Sequence, residues 1–296
     1  MVDRRYKGAD RSPAAILYVR NASMEGTTMA NFPFLERPAR SAKPRRSGLT
    51  VVSDMGLSLA ETRSLIETAG DIVDHVKITD HVGILWRYPE EWVRQKTAFY
   101  RQHGIETLVG GIPFEVALLQ GKVPQYMRRV AELGFDGVEV SEDSVDTLPP
   151  AERRAAIRHG LDCGLKVFTE MGKKIVDAPL EAAEAIDLAL RDLEDGAYLV
   201  VVEKSDIAVQ IAQKRDTLHR LIEGVPQEKL IFEAGPGADE MQVAGWLIRE
   251  FGSEVNLENL RAANAITLEA MRHGLNRAVD YRYFHAFAGK PLPPVT

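Results

Sequence analysis

From Gly48 onward the chain repeats one pattern, and that repetition limits its fold more than any other feature of the sequence. A short apolar, β-branched run ends on a polar residue and leads into an amphipathic helical segment of roughly 10 to 18 residues. The strand-like runs are Leu49–Ser53, Ile72–Ile78, Glu106–Gly110, Gly137–Val140, Lys166–Thr169, Tyr198–Val202, Lys229–Phe232 and a shorter one around Val255–Leu257. Between them lie segments such as SLAETRSLIETAG, PEEWVRQKTAFYRQHG and PPAERRAAIRHGLDCG, several opening on Ser or Pro and several closing on Gly, which are helix start and stop signals. Strands and helices alternating through short links favour parallel pairing by right-handed crossovers. Eight such units close most simply into an α/β fold of the (β/α)8 TIM barrel type, with an open doubly wound sheet as the alternative. The expected limits are 1–32 for a flexible N-terminal extension without hydrophobic period, 33–285 for the barrel and 286–296 for a C-terminal tail.

Composition narrows the partners. With 45% hydrophobic and 27% charged residues the chain can bury a sizeable core, and a net charge of -6 argues against a phosphate backbone or an anionic membrane surface. No apolar run approaches the ~20 residues that span a bilayer. A single cysteine, Cys163, has no disulfide partner and suits a reducing cytoplasm, where it is expected to be a small buried side chain. A small-molecule partner is therefore expected. Trp86, Trp92, Tyr100 and Tyr126 fall on outer-helix segments and leave room for a subunit interface in a homo-oligomer.

In a (β/α)8 barrel the chemistry stands at the C-terminal strand ends and the loops that follow. Read strand by strand, those places hold Asp54; Lys77 with Asp80 and His81; Glu115; Glu139 with Ser141; Glu170 with Lys173 and Lys174; Glu203 with Lys204; Glu233; and Asn256 with Asn259. Charged residues often end strands simply because they reach water. An acid at nearly every end is a different matter, because converging carboxylates repel unless a proton or a cation separates them. Mg2+ suits such hard oxygen donors, and no His/Cys spacing points to zinc. His81 is a candidate ligand or proton shuttle, while His75 reads as packed or solvated.

The blocks FLERPARSAKPRRSGLTVVSDMG, DIVDHVKI, GGIPFEVALLQGKV, ELGFDGVEVS, GLKVFTEMGKK, KLIFEA, FGSEVNLENL and LEAMRHGL, in this order and spacing, resemble the phosphosulfolactate synthase family from about Phe34 to Leu275. The resemblance implies a (β/α)8 fold and a Mg2+-dependent addition of sulfite to the methylene carbon of phosphoenolpyruvate, on the route to coenzyme M. It implies Lys173 as the acid that protonates the carbon beside an enediolate-like carboxylate, with Glu170 and Lys77 also catalytic. Asp54, Glu139, Glu203 and Glu233 match acidic positions suited to the metal. Lys43, Arg45, His81, Ser141, Lys204, Asn256 and Arg272 are the expected contacts to a small anionic substrate.

The chain also departs from the family pattern. Thr79, Asp80, His81 and Val82 replace a Gly-Trp-Gly-Thr-like turn, and Lys204, Ser205, Asp206 and Ile207 replace an Arg-Glu-Ser-Gly-like segment. Asn276 to Val279 replace an Arg-Gly-Asp-Thr-like finish, and Glu258 stands where the family has glycine. Lys replaces a bidentate Arg clamp poorly, and the added acids oppose anions. A diverged enzyme acting on another small acid, an aldolase- or isomerase-like enzyme using a Lys Schiff base, and a non-catalytic binding protein are the alternatives.

Overall fold

The computed structural model describes residues 31–175 and 178–289, so most of the expected N-terminal extension and residues 290–296 of the expected tail lie outside the described residues. Eight strands pair in parallel, in chain order, around a closed barrel: β1 Thr50–Asp54, β2 His75–Ile78, β3 Glu106–Val109, β4 Gly137–Val140, β5 Lys166–Met171, β6 Leu199–Val202, β7 Leu230–Glu233 and β8 Leu257–Arg261. Helices fill the connections, from Leu59–Ala69 after β1 to Ala265–Arg272 after β8. The fold is the (β/α)8 barrel that the repetition implied.

Local chemistry explains where the elements start and stop. Ser58 caps the helix Leu59–Ala69 through a reciprocal pairing with Glu61. Gly104, Gly134, Gly164 and Gly196 each close a helix with positive φ, 68°, 84°, 77° and 108°, where a side chain would be strained. Two strands differ from their sequence reading. β2 begins at His75 rather than Ile72, because the N–H groups of Ile72 and Val73 still bond back to the Ala69 carbonyl at 3.0 Å. β8 lies further along than its apolar residues suggest, because its Glu and Asn side chains turn into the barrel.

Alternation along each strand divides the core. Outward-facing residues such as Val52, Val76, Val138 and Val167 pack under the first helices, and Val200, Val202, Phe232 and Leu257 under the later ones. Inward-facing Leu49, Val51, Leu108, Phe168, Leu199, Val201 and Ile231 plug the barrel. Each such fully buried side chain contributes about 1.5–3 kcal/mol. His75 joins this plug, edge-on to Phe168 and Tyr198 with ring centroids 5.8 and 6.2 Å away.

Of the aromatics expected to border a subunit interface, Tyr100 is fully buried and Trp92 lies against Tyr88, with ring centroids 4.2 Å apart. Trp86 is 70% exposed. Cys163, expected to be buried, is half-buried. Among the described residues no helix is long and apolar enough to cross a membrane.

Candidate active site at the barrel mouth

Above the apolar plug the inward positions become ionisable. Lys77 of β2, Glu139 of β4, Glu170 of β5, Glu233 of β7 and Glu258 of β8 are all buried. Lys77 Nζ lies 2.6 Å from Glu139 Oε2 and 2.9 Å from Glu258 Oε1. Glu139 is also held by the Gly111 N–H, which donates to its Oε1 at 2.8 Å. Asn259, in the irregular stretch where β8 meets β1, has φ 58° and donates its side-chain amide to Glu233. That local kink lets Glu258 and Asn259 both reach the interior.

One layer higher, Asp143, Glu170 and Glu203 each bring a carboxylate oxygen within 4.8 Å of the others. Lys174 pairs with Asp143 and lies 3.6 Å from Glu203 Oε2. Glu203 Oε1 accepts from the Ser205 hydroxyl at 3.2 Å, while its buried Oε2 accepts no hydrogen bond. Hard, buried oxygen donors, one of them without a hydrogen bond among the described residues, fit a divalent cation.

The plug and the crowding set the charge states. Burial and the neighbouring Glu139 push Glu170 well above the usual carboxylate range, and burial with Glu203 does the same to Glu233. Glu258 is raised to about 7 by burial, against the pull of Lys77, and Glu115 to about 7 by burial and its bond to Asp143. Asp143 and Glu203 run the other way: burial is outweighed by partners, including Lys174, that hold both below their ordinary value. Burial opposes the charge of Lys77 and Lys174, but the surrounding glutamates more than offset it and raise both. His81 is lowered by burial and by Lys174 and Lys77, which keeps its ring neutral at pH 7.

These shifts have a defined consequence for stability. The raised carboxyls keep protons in the fold that the unfolded chain releases near pH 4.5, so their contribution is lost as pH rises toward 7. The lowered Asp143 and Glu203 contribute stability that is lost only below their ordinary values, on the acid side. Chemical denaturation of the metal-free protein should therefore show stability falling between pH 5 and 8, and Mg2+ should reverse most of the fall by neutralising the carboxylates. A flat profile in that window would contradict the crowding.

The structure sorts the residues singled out by sequence. Lys77, Glu139, Glu170, Glu203 and Glu233 come together in the barrel, and Ser141, His81 and Lys204 border its mouth. Ser141 Oγ donates to Glu115 Oε1 at 2.7 Å, and the Lys204 N–H donates to Glu233 Oε2 at 3.2 Å. His81 Nδ1 is buried without a hydrogen-bond partner among the described residues. Lys173 turns away from the acids, with Nζ on the carbonyls of Glu142 and Val145, the latter at 3.0 Å. Its neighbour Lys174 faces them instead.

Five expected site residues are not brought to the mouth. Asp54 points outward from β1, accepting from the Gly56 and Leu57 N–H groups at 3.0 and 2.7 Å and pairing with Lys96 at 2.5 Å. The other four stand at the opposite, N-terminal end of the barrel. Lys43 Nζ bonds the Gly70 carbonyl at 2.9 Å, and Arg45 pairs with Asp74 at 3.0 Å, just before β2. Asn256 Oδ1 accepts from the Leu49 N–H at 2.9 Å, and Arg272 bonds the Val255 and Leu49 carbonyls at 2.8 and 2.9 Å. These groups satisfy backbone polar atoms where the strands begin.

The sequence profile of the (2R)-phospho-3-sulfolactate synthase (ComA) family matches residues 38–277. The chain belongs to that family. Phosphosulfolactate synthase of Methanothermobacter thermautotrophicus is 32% identical, covering 83% of this chain and 96% of the relative. That of Methanocaldococcus jannaschii is 35% identical over 77% of this chain and 92% of its own length. The Bacillus subtilis enzyme is 29% identical, covering 81% and 95% respectively. Among solved structures, DHDPS from Cyanidioschyzon merolae with lysine bound superposes with a TM-score of 0.52 at 12% identity, covering 82% of this chain and 80% of that one, a likeness of fold alone. As a phosphosulfolactate synthase family member the chain is a lyase-type enzyme.

For a member of this synthase family, the residue that sequence reasoning passed over is Asp143. It lies beyond the end of β4, two positions after Ser141, and the only signal was one more acid in the run Ser141–Ser144. The bend that returns it to the mouth is tied by the Lys174 N–H, which donates to the Asp143 carbonyl at 3.2 Å.

Proposed function

We propose that the chain catalyses the Mg2+-dependent addition of sulfite, or a related nucleophile, to phosphoenolpyruvate or a related enol acid. The observation that carries this reading is the convergence of Asp143, Glu170 and Glu203 beside Lys174, at the C-terminal mouth of a barrel from this family. Asp143, Glu170 and Glu203 would hold the ion, with Glu233 supporting Glu203 from below. Bound Mg2+ supplies positive charge beside the substrate carboxylate, where negative charge builds as the nucleophile attacks.

The remaining work falls to the chain's own groups. As a C–S bond forms at the methylene carbon, the double-bond electrons move toward the carboxylate, and the neighbouring carbon needs a proton. Lys174 carries one on Nζ, at the mouth and beside the acids that would hold the ion. Lys173 anchors the loop after β5 to the loop after β4, and the neutral ring of His81 borders the pocket without adding charge. The net charge of -6 and the absence of disulfide pairing support a cytoplasmic enzyme of small soluble acids, with no nucleic-acid or membrane partner.

Phosphorus NMR of the protein with Mg2+, phosphoenolpyruvate and sulfite tests the reaction directly. A new phosphate-ester resonance that needs both protein and Mg2+ is the expected result. Unchanged phosphoenolpyruvate in folded, Mg2+-loaded protein would rule out this pair of substrates.

A further inference from the structure

We propose that Glu258 is a specificity-determining residue: its carboxyl fills an anion seat on Lys77 deep in the barrel, so the substrate acid must bind higher in the mouth with no anionic group reaching that lysine. This deepens the proposed function, since it names the class of acid the mouth accepts, and it rests on that reading.

The seat is defined by what surrounds Lys77. Its Nζ donates a hydrogen bond to Glu258 Oε1 at 2.9 Å and forms an ion pair with Glu139 Oε2 at 2.6 Å, both acids being buried. The two acids are held differently. Glu139 has a second anchor in the Gly111 N–H, which fixes it whether or not Lys77 is present. Among the described residues, Glu258 has no side-chain hydrogen bond except the one to Lys77, and its other oxygen, Oε2, is buried without a hydrogen-bond partner. A carboxyl held by one ammonium and nothing else sits as a bound carboxylate ligand would sit.

The space around the seat is closed. Glu258 is 0% exposed and Lys77 2%. On the far side, a Cβ added at Gly110 would lie 3.3 Å from Lys77 Cε, so the lysine stem is already in contact with the β3 end. No free anion can reach Nζ while the Glu258 side chain is in place, whether that side chain is ionised or protonated. The consequence concerns charge as well as room. The charge of Lys77 is already matched by Glu139 and Glu258 before a substrate arrives. The floor therefore offers no unmatched cation to a further anion, and the ammonium groups higher in the mouth, Lys174 and Lys204, are paired with Asp143 and Asp239.

Truncation of Glu258 to Ala should open the seat and free the Lys77 donor that Glu258 now occupies. Acetate, the size of the deleted carboxyl group, is the probe. Thermal unfolding of Glu258→Ala should shift upward with added acetate but not with added chloride, and the wild type should show no such difference. Phosphoenolpyruvate affinity, measured by calorimetry with Mg2+, should tighten at least about tenfold in the variant as Lys77 becomes available.

An acetate response equal in variant and wild type, or absent from both, overturns the proposal. If Glu258→Ala does not fold in chloride, folding restored by acetate is the same positive result, and failure of acetate to restore it counts against the seat. The isosteric Glu258→Gln keeps the volume, so acetate should leave it unmoved, and an acetate response there is equally damaging. The acetate test needs no turnover. Rescue by acetate in a protein that never consumes phosphoenolpyruvate and sulfite would reject the proposed reaction and keep the seat.

Discussion

Asp54→Ala should lower the unfolding free energy by about 3–5 kcal/mol, the usual cost of stranding one member of a buried ion pair, and should leave Mg2+ binding unchanged. Asp54 ends β1 on the outward side, between the barrel and the helix Glu90–Gln102. Its Oδ2 meets Lys96 Nζ at 2.5 Å and the Tyr100 hydroxyl at 3.1 Å, and its Oδ1 closes a turn by accepting from Gly56 and Leu57. Lys96 is 3% exposed, and burial already lowers its pKa against the pull of Asp54. Without the carboxylate, a buried ammonium is left with the Leu57 carbonyl and the Trp92 ring face, 4.8 Å from Nζ to the ring centroid. Urea unfolding measures the loss. The double variant Asp54→Ala, Lys96→Met should recover part of it, because no uncompensated charge remains. Loss of the Mg2+-induced stabilisation in Asp54→Ala, in protein that is still folded, would instead return this residue to the metal site.

Asp54 also shows where the sequence stops being informative. Repetition of strand and helix was legible because it needs only hydrophobic period and helix punctuation, and the strand ends follow from it. Direction was not. In β1 both faces are apolar, with Val51 inside and Val52 outside, so nothing in Leu49–Asp54 tells which parity the terminal acid inherits. In β4 the answer is easier, since Glu139 interrupts an otherwise apolar strand and must have a polar interior to face.

A different ambiguity moved Lys43, Arg45, Asn256 and Arg272 to the wrong end. Basic and amide groups are as useful where strands begin, bonding carbonyls such as those of Gly70, Val73, Leu230 and Leu49, as where substrate binds. Resemblance to a family aligns such residues without saying which end of the barrel they serve. Only the three-dimensional positions separate the groups that seal the bottom from the groups that do chemistry at the top. The same holds for the adjacent pair Lys173 and Lys174, which sequence spacing cannot tell apart.

That pair yields a sharp test. Lys174→Ala should reduce kcat by roughly 10²–10⁴-fold, the usual contribution of a positioned general acid, while phosphoenolpyruvate affinity changes far less. Lys173→Ala should mainly loosen the mouth, because its Nζ ties the loop after β5 to the carbonyls of Glu142 and Val145. Its expected signature is a lower melting temperature and a raised KM, with kcat largely retained. The Lys174 side chain is 43% exposed, so a small amine can reach the space it leaves. Methylammonium should restore part of the activity of Lys174→Ala in proportion to the concentration of its protonated form, and should do nothing for Lys173→Ala. The physical basis is the charge of the acids around Nζ. They hold the ammonium protonated in the resting site, and binding of a divalent cation to Asp143, Glu170 and Glu203 weakens that hold, which makes the proton easier to release once the cation is in place. The pH profile of kcat should accordingly show a limb assigned to Lys174 that lies lower in the Mg2+-loaded enzyme than the metal-free charge balance implies. If Lys173→Ala abolishes turnover and Lys174→Ala does not, the proton is carried by the lysine that faces the backbone carbonyls, and the loop must rearrange when substrate binds.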